Sequence, residues 1–95
     1  MNDKMTPETE KEWALEIGAR VALERTNRAL TQADLAYNSR LSIKTISNVE
    51  RGAQLPHLYT LIQLARTLGV SLDQLSIGAE SPNPNSFDIG VEVKR

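Results

Sequence analysis

The stretch from Thr31 to Gly52, TQADLAYNSRLSIKTISNVERG, constrains this chain more than any other, because it reads as two short helices joined by a tight break and closed by a glycine. Thr31 suits the N-cap of a helix through Gln32, Ala33, Asp34, Leu35, Ala36 and Tyr37, and Asp34 completes a weak capping box while complementing the positive helix end. Ser42 caps the second helix. There Ile46 and Val49 share one stripe, while Ile43, Lys44, Ser47, Asn48 and Arg51 point elsewhere. Gly52 is placed to stop it. Helices this short are not stable alone, so flanking helices must pack them, leaving the polar face of the second free for a partner.

The 95 residues are enough for one core of four or five helices and too few for the cleft of a typical enzyme. The sequence has no cysteine, which removes disulfides and thiolate metal sites, and its single histidine, His57, cannot make a histidine zinc site. No pair of carboxylates, nucleophile with base, or metal cluster converges, so neither an enzyme nor a cofactor is expected. Polar residues interrupt every apolar run, so no signal peptide or membrane span is read and a cytoplasmic location is expected. The net charge of −1 conceals a pattern. Residues 1 to 12 carry two lysines against four acids, residues 13 to 76 carry seven Lys or Arg against five acids, and residues 77 to 95 carry two against three. The weak positive field therefore coincides with the two-helix motif, and affinity for phosphate must rest on a few placed contacts and on dimerisation.

In chain order, Thr6 is the expected first N-cap, with Pro7 at the first helical position and Glu8 and Glu10 near the positive end. Trp13, Ile17 and Val21 recur every four residues with Ala14 beside them; Trp13 covers either the core or a partner chain. Beyond Gly52, a helix from about Leu58 to Leu68 carries Leu58, Leu61, Ile62, Leu64, Ala65 and Leu68 on a broad apolar face, with His57 as a poor cap. Gly69 ends it, and Ser71 with Gln74 forms a capping box for a last short helix through Leu72, Leu75 and Ile77. Residues 6–77 thus form the expected helical domain. Residues 78–95 are a linker and tail, in which Phe87, Ile89, Val91 and Val93 alternate with polar positions as in a strand. Three readings of that tail stand: a dimerisation strand, a segment that binds another protein, or a disordered acidic end.

Thr31, Gln32, Leu35, Ala36, Ser42, Thr45, Ile46, Ser47, Glu50, Arg51 and Gly52 together resemble the helix-turn-helix of the lambda repressor and Cro-like family of DNA-binding regulators, including those of the xenobiotic response element type. The likeness continues through Ile17, Gly18, Arg20, Val21 and Arg25 before the motif and through Pro56, Leu58, Leu61, Leu64, Ala65, Leu68, Gly69 and Val70 after it. It implies an all-α, five-helix domain that reads double-stranded DNA. It also implies that Arg25 pairs with Glu50, as a structural ion pair if buried and a negligible one if solvated. The chain departs from the family pattern at Ala29 and Arg40, where glycine is usual; a left-handed backbone there costs about 1 kcal/mol. Arg40 is either a phosphate contact or a solvated turn residue.

The expected function is that of a dimeric, sequence-specific transcriptional regulator, a repressor in the first instance, reading a palindromic operator. The helix capped by Ser42 enters the major groove N-terminus first, bringing Ile43, Lys44 and Asn48 toward base edges. Lys44 suits guanine and Asn48 adenine, whereas Ile43 either packs on a thymine methyl or is a plain surface residue. The resemblance assigns Gln32 to a phosphate and to bracing that helix, and Thr45 or Arg51 to the flanking backbone, with Ser47 on the same surface. The alternative is an antitoxin-like protein that holds a toxin through its tail and binds its own promoter.

Overall fold

The computed structural model describes residues 7–77 as five helices: α1 (Glu10–Asn27), α2 (Gln32–Ser39), α3 (Ile43–Arg51), α4 (Leu58–Leu68) and α5 (Leu72–Ile77). The expected all-α, five-helix arrangement is what these residues form. The linker and the strand expected for Phe87, Ile89, Val91 and Val93 lie outside the described residues.

The start of α1 corrects the sequence reading. Thr9, not Thr6, is the N-cap, and Pro7 lies outside the helix. The reason is local: Thr9 Oγ1 accepts from the Glu12 backbone N–H at 3.1 Å, and Glu12 Oε1 accepts from the Thr9 N–H at 3.3 Å and the Glu8 N–H at 2.8 Å. A cap at Thr6 would have Thr9 at its third helical position, with no carboxylate to reach back, so the complete box three residues later prevails.

The core comprises Ile17, Val21, Leu35, Ala36, Ile46, Val49, Leu64, Ala65, Leu68 and Leu75, with Trp13, Leu30, Leu41, Leu61 and Val70 packed against it. Trp13 therefore takes the core reading. The broad face expected for α4 is narrower than its sequence suggests: Leu64, Ala65 and Leu68 are buried, but Leu58 is 65% exposed. Leu58 is the first residue of α4, where side chains lean back toward the N-terminus and so past the helix's own core contacts. Leu72, at the start of α5, is likewise exposed while Leu75 is fully buried.

Helices α1 to α4 all end alike. A left-handed residue follows α2, α3 and α4 directly and α1 one residue later, and two backbone N–H groups turn back onto the last carbonyls, as in Leu41 N–H to Ala36 O at 3.0 Å and Ala53 N–H to Asn48 O at 3.0 Å. Gly52 and Gly69 fill two of these positions, with φ of 70° and 74°; Ala29 and Arg40 fill the other two, with φ of 57° and 62°. The two departures from glycine thus keep the turn geometry that glycine would favour. His57, as expected, offers α4 no side-chain cap, whereas Ser71 and Gln74 complete theirs.

Candidate nucleic-acid interface

The orientation of α3 is fixed from its C-terminal half. Gly18 on α1 lies against it so closely that an added Cβ would stand 2.2 Å from Val49 O and 2.9 Å from Glu50 O. At Gly52, which ends α3, an added Cβ would meet Leu15 of α1 at 2.7 Å. With Ile46 and Val49 buried in the core, that end is immobilised and the N-terminal end faces solvent.

A charged network completes the hold. Arg25 donates to Glu50 through Nε at 2.7 Å and Nη2 at 3.0 Å, and through Nη1 to Leu30 O at 2.7 Å. Gln32 Nε2 donates to Glu50 Oε1 at 3.0 Å. Glu50 therefore ties α1, α2 and α3 together. The Arg25 and Glu50 side chains are only 16% and 8% exposed, so the pair is the largely buried one, and the bond to Glu50 raises the Arg25 pKa beyond its already high ordinary value. Gln32, expected on a phosphate and as a brace, makes the brace.

The N-terminus of α3 is built from Ser42, whose Oγ accepts from the Thr45 N–H at 3.0 Å and donates to Thr45 Oγ1 at 2.9 Å. Ser42, Ile43 and Lys44 are exposed there; Thr45, Ser47 and Asn48 are half-buried, and Arg51 is exposed at the far end, donating to Asn48 Oδ1. Arg40, in the turn before Ser42, lines a polar groove with Asn38, Tyr59, Gln63, Arg66 and Thr67, a groove that no side chain of α3 lines. Sequence reasoning missed Arg66; its only signal was the spacing of Tyr59, Gln63, Arg66 and Thr67 along one face of α4.

Arg20, Arg25 and Arg28 are neutralised by Glu16, Glu50 and Glu24. Lys11, Arg40, Lys44, Arg51 and Arg66 have no carboxylate partner among the described residues, and Arg40, Lys44 and Arg51 of these lie in and beside α3. Two capped helices joined by a tight left-handed turn, with cations unpaired on the second, form the unit that the sequence suggested. A family model described as a helix-turn-helix domain matches residues 16–76.

The chain belongs to the helix-turn-helix domain family. It is similar to y4dJ, an HTH-type transcriptional regulator of Sinorhizobium fredii, at 38% identity over 55 residues, covering 58% of this chain and 71% of the relative. Its fold resembles that of the restriction-modification controller protein C.AhdI from Aeromonas hydrophila, with 31% identity, a TM-score of 0.63, and coverage of 65% of this chain and 94% of the other. The P22 c2 repressor, solved in complex with a synthetic operator, matches at 31% identity and a TM-score of 0.62, with the same coverage of 65% and 94%. The expected likeness to lambda repressor-type proteins thus holds, and the helix-turn-helix itself is α2, the Arg40 turn and α3.

Proposed function

We propose that this helix-turn-helix protein binds double-stranded DNA sequence-specifically as a dimeric transcriptional regulator, most simply a repressor, with the N-terminus of α3 in the major groove of each half of a palindromic operator. The observation that carries this reading is the asymmetric hold on α3. Its C-terminal half is fixed by Gly18, Gly52 and the Arg25–Glu50–Gln32 network, while Ser42, Ile43 and Lys44 project with an uncompensated positive charge. A helix N-terminus presented in this way suits phosphates and base edges together. The operator-bound P22 c2 repressor supplies a precedent in a similar fold.

In this reading Lys44 donates to guanine O6 and N7, Ile43 meets a thymine methyl, and Ser42, Thr45 and Ser47 lie along the groove wall. The second N–H of Gln32 Nε2, beyond the one given to Glu50, is available to a phosphate. Residues 6–77 are the DNA-binding unit. The alternating segment Phe87, Ile89, Val91 and Val93 acts as a dimerisation arm, since two copies pairing about a two-fold axis match a palindrome.

Selection of bound duplexes from a random DNA pool tests the proposal. A palindromic consensus should emerge, and Lys44→Ala should lose about 1 to 3 kcal/mol at one base position per half-site. Binding without any duplex preference at moderate salt would overturn it.

A further inference from the structure

The side chains of Asn48 and Arg51 are one turn apart on α3, and they are joined: the Arg51 guanidinium donates to Asn48 Oδ1. The cation settles which way the amide points, because only the carbonyl oxygen, not the amino group, is attracted to a guanidinium. Asn48 Nδ2 is left with no acceptor among the described residues. The half-buried Asn48 side chain also borders the groove that Gln54, Leu55, Pro56 and His57 line beside α3, whereas Arg51 is exposed.

We propose that Arg51 is a positioning residue that turns Asn48 into a donor-only reader, so that the pair selects guanine where an unpaired asparagine would select adenine. This rests on α3 being the base-reading helix. A free asparagine suits adenine because it offers one donor to N7 and one acceptor to the N6 amino group. Here the acceptor is engaged by a cation, and the remaining lone pair on Oδ1 lies beside the guanidinium, where an incoming amino group would be set against positive charge. What Asn48 then offers is its Nδ2 group, two N–H donors with no free acceptor beside them. The major-groove edge of guanine presents two acceptors, N7 and O6, and no donor. It matches that array, and the adenine amino group opposes it.

The proposed guanine preference therefore differs from the matching of Asn48 with adenine that its residue type alone suggests. The sequence gives a signal for this in hindsight, since Asn and Arg three residues apart on a helix are within reach of each other.

The test uses the full chain and duplexes differing at single positions of its selected operator, with a thermal melt of each variant to confirm folding. Asn48→Ala identifies the position, as the one where base preference is erased. The parent should favour guanine over adenine there by about tenfold. Arg51→Met should weaken binding overall and also collapse or reverse that ratio at the same position, leaving the others unchanged. In the Asn48→Ala background, Arg51→Met should alter no base preference. If Arg51→Met weakens all duplexes equally, Arg51 is a backbone contact alone and the positioning role is overturned. A parent that selects adenine at the Asn48 position overturns it too, with the groove placement of α3 intact. If Asn48→Ala erases preference at no position, the placement of α3 falls, and the pairing role with it.

Discussion

Gly18 and Val49 meet backbone to backbone: the face of Gly18 that would carry a side chain is occupied by the Val49 carbonyl oxygen, 2.2 Å from where a Cβ would sit. The same absent Cβ would be 2.9 Å from Glu50 O. Glycine in a helix interior is unfavourable by about 1 kcal/mol relative to alanine. Its presence in the middle of α1 is explained by the contact and by nothing in helix propensity.

Gly18→Ala is therefore predicted to destabilise the domain by about 2 kcal/mol or more, against the gain that propensity alone would give, since two backbones must part to admit a methyl group. Denaturant titration measures it. A variant as stable as the parent would mean that α1 and α3 are less closely packed than described.

Glu50→Ala is predicted to cost about 3 kcal/mol, because it leaves the largely buried Arg25 without its counter-charge and Gln32 without its acceptor. DNA affinity per folded molecule should change less, as Glu50 faces α1 and α2 and its charge repels phosphate. A thermal melt and a titration at saturating folded fraction separate the two effects. An unchanged melt would refute the buried-pair argument.

Asp34 supplies a pH-dependent contribution. The Thr31 backbone N–H, donating to Asp34 Oδ2 at 2.9 Å, is the largest influence holding its carboxylate below the ordinary value of 3.8, with the Thr31 side chain next. A depressed pKa in the folded state means that the bond stabilises fully above the unfolded value and is lost as pH falls through the folded one. Asp34→Asn should accordingly melt below the parent at neutral pH, with the gap closing as the pH drops below 3.8. A gap independent of pH would assign the effect to shape alone.

What was legible in the sequence was local. Thr31 with Asp34, Ser42 with Thr45, Gly52, Gly69, and Ser71 with Gln74 act within a few residues of one another, so their spacing states the structure. Where two local signals competed, at Thr6 and Thr9, the outcome depended on which had a carboxylate at the third helical position. The exposure of Leu58 followed from its place in a first turn, which an apolar periodicity does not weigh. Gln63 Nε2 donating to Ser39 O at 3.0 Å, and Gly18 against Val49, depend on how helices cross, and no spacing along one helix contains that information. The Arg25–Glu50 pair, also distant in sequence, was reached through resemblance and not through periodicity.

Removal of the tail is predicted to weaken association. Sedimentation of the full chain and of a chain ending at Gly78 should show a higher dimer dissociation constant for the shorter one, on the proposal that the alternating Phe87, Ile89, Val91 and Val93 form the dimerisation arm. Equal constants would move dimerisation to the helices.

Arg40 and Ala29 occupy equivalent left-handed positions after α2 and α1, and comparing them isolates what the arginine side chain does. Replacing either by glycine relieves a Cβ strain of about 1 kcal/mol, offset in part by the greater freedom of glycine in the unfolded chain. Ala29→Gly and Arg40→Gly should thus each raise stability by about 0.5 kcal/mol. They should differ on DNA. Arg40 is exposed, has no ion-pair partner among the described residues, and precedes Ser42 by two residues, so a phosphate beside the α3 N-terminus is within its reach. Arg40→Gly should weaken binding to every duplex alike and lower the slope of log affinity against log salt by about one, whereas Ala29→Gly should leave both unchanged. Identical salt slopes for the two variants would make Arg40 a solvated turn residue, strained without a compensating contact.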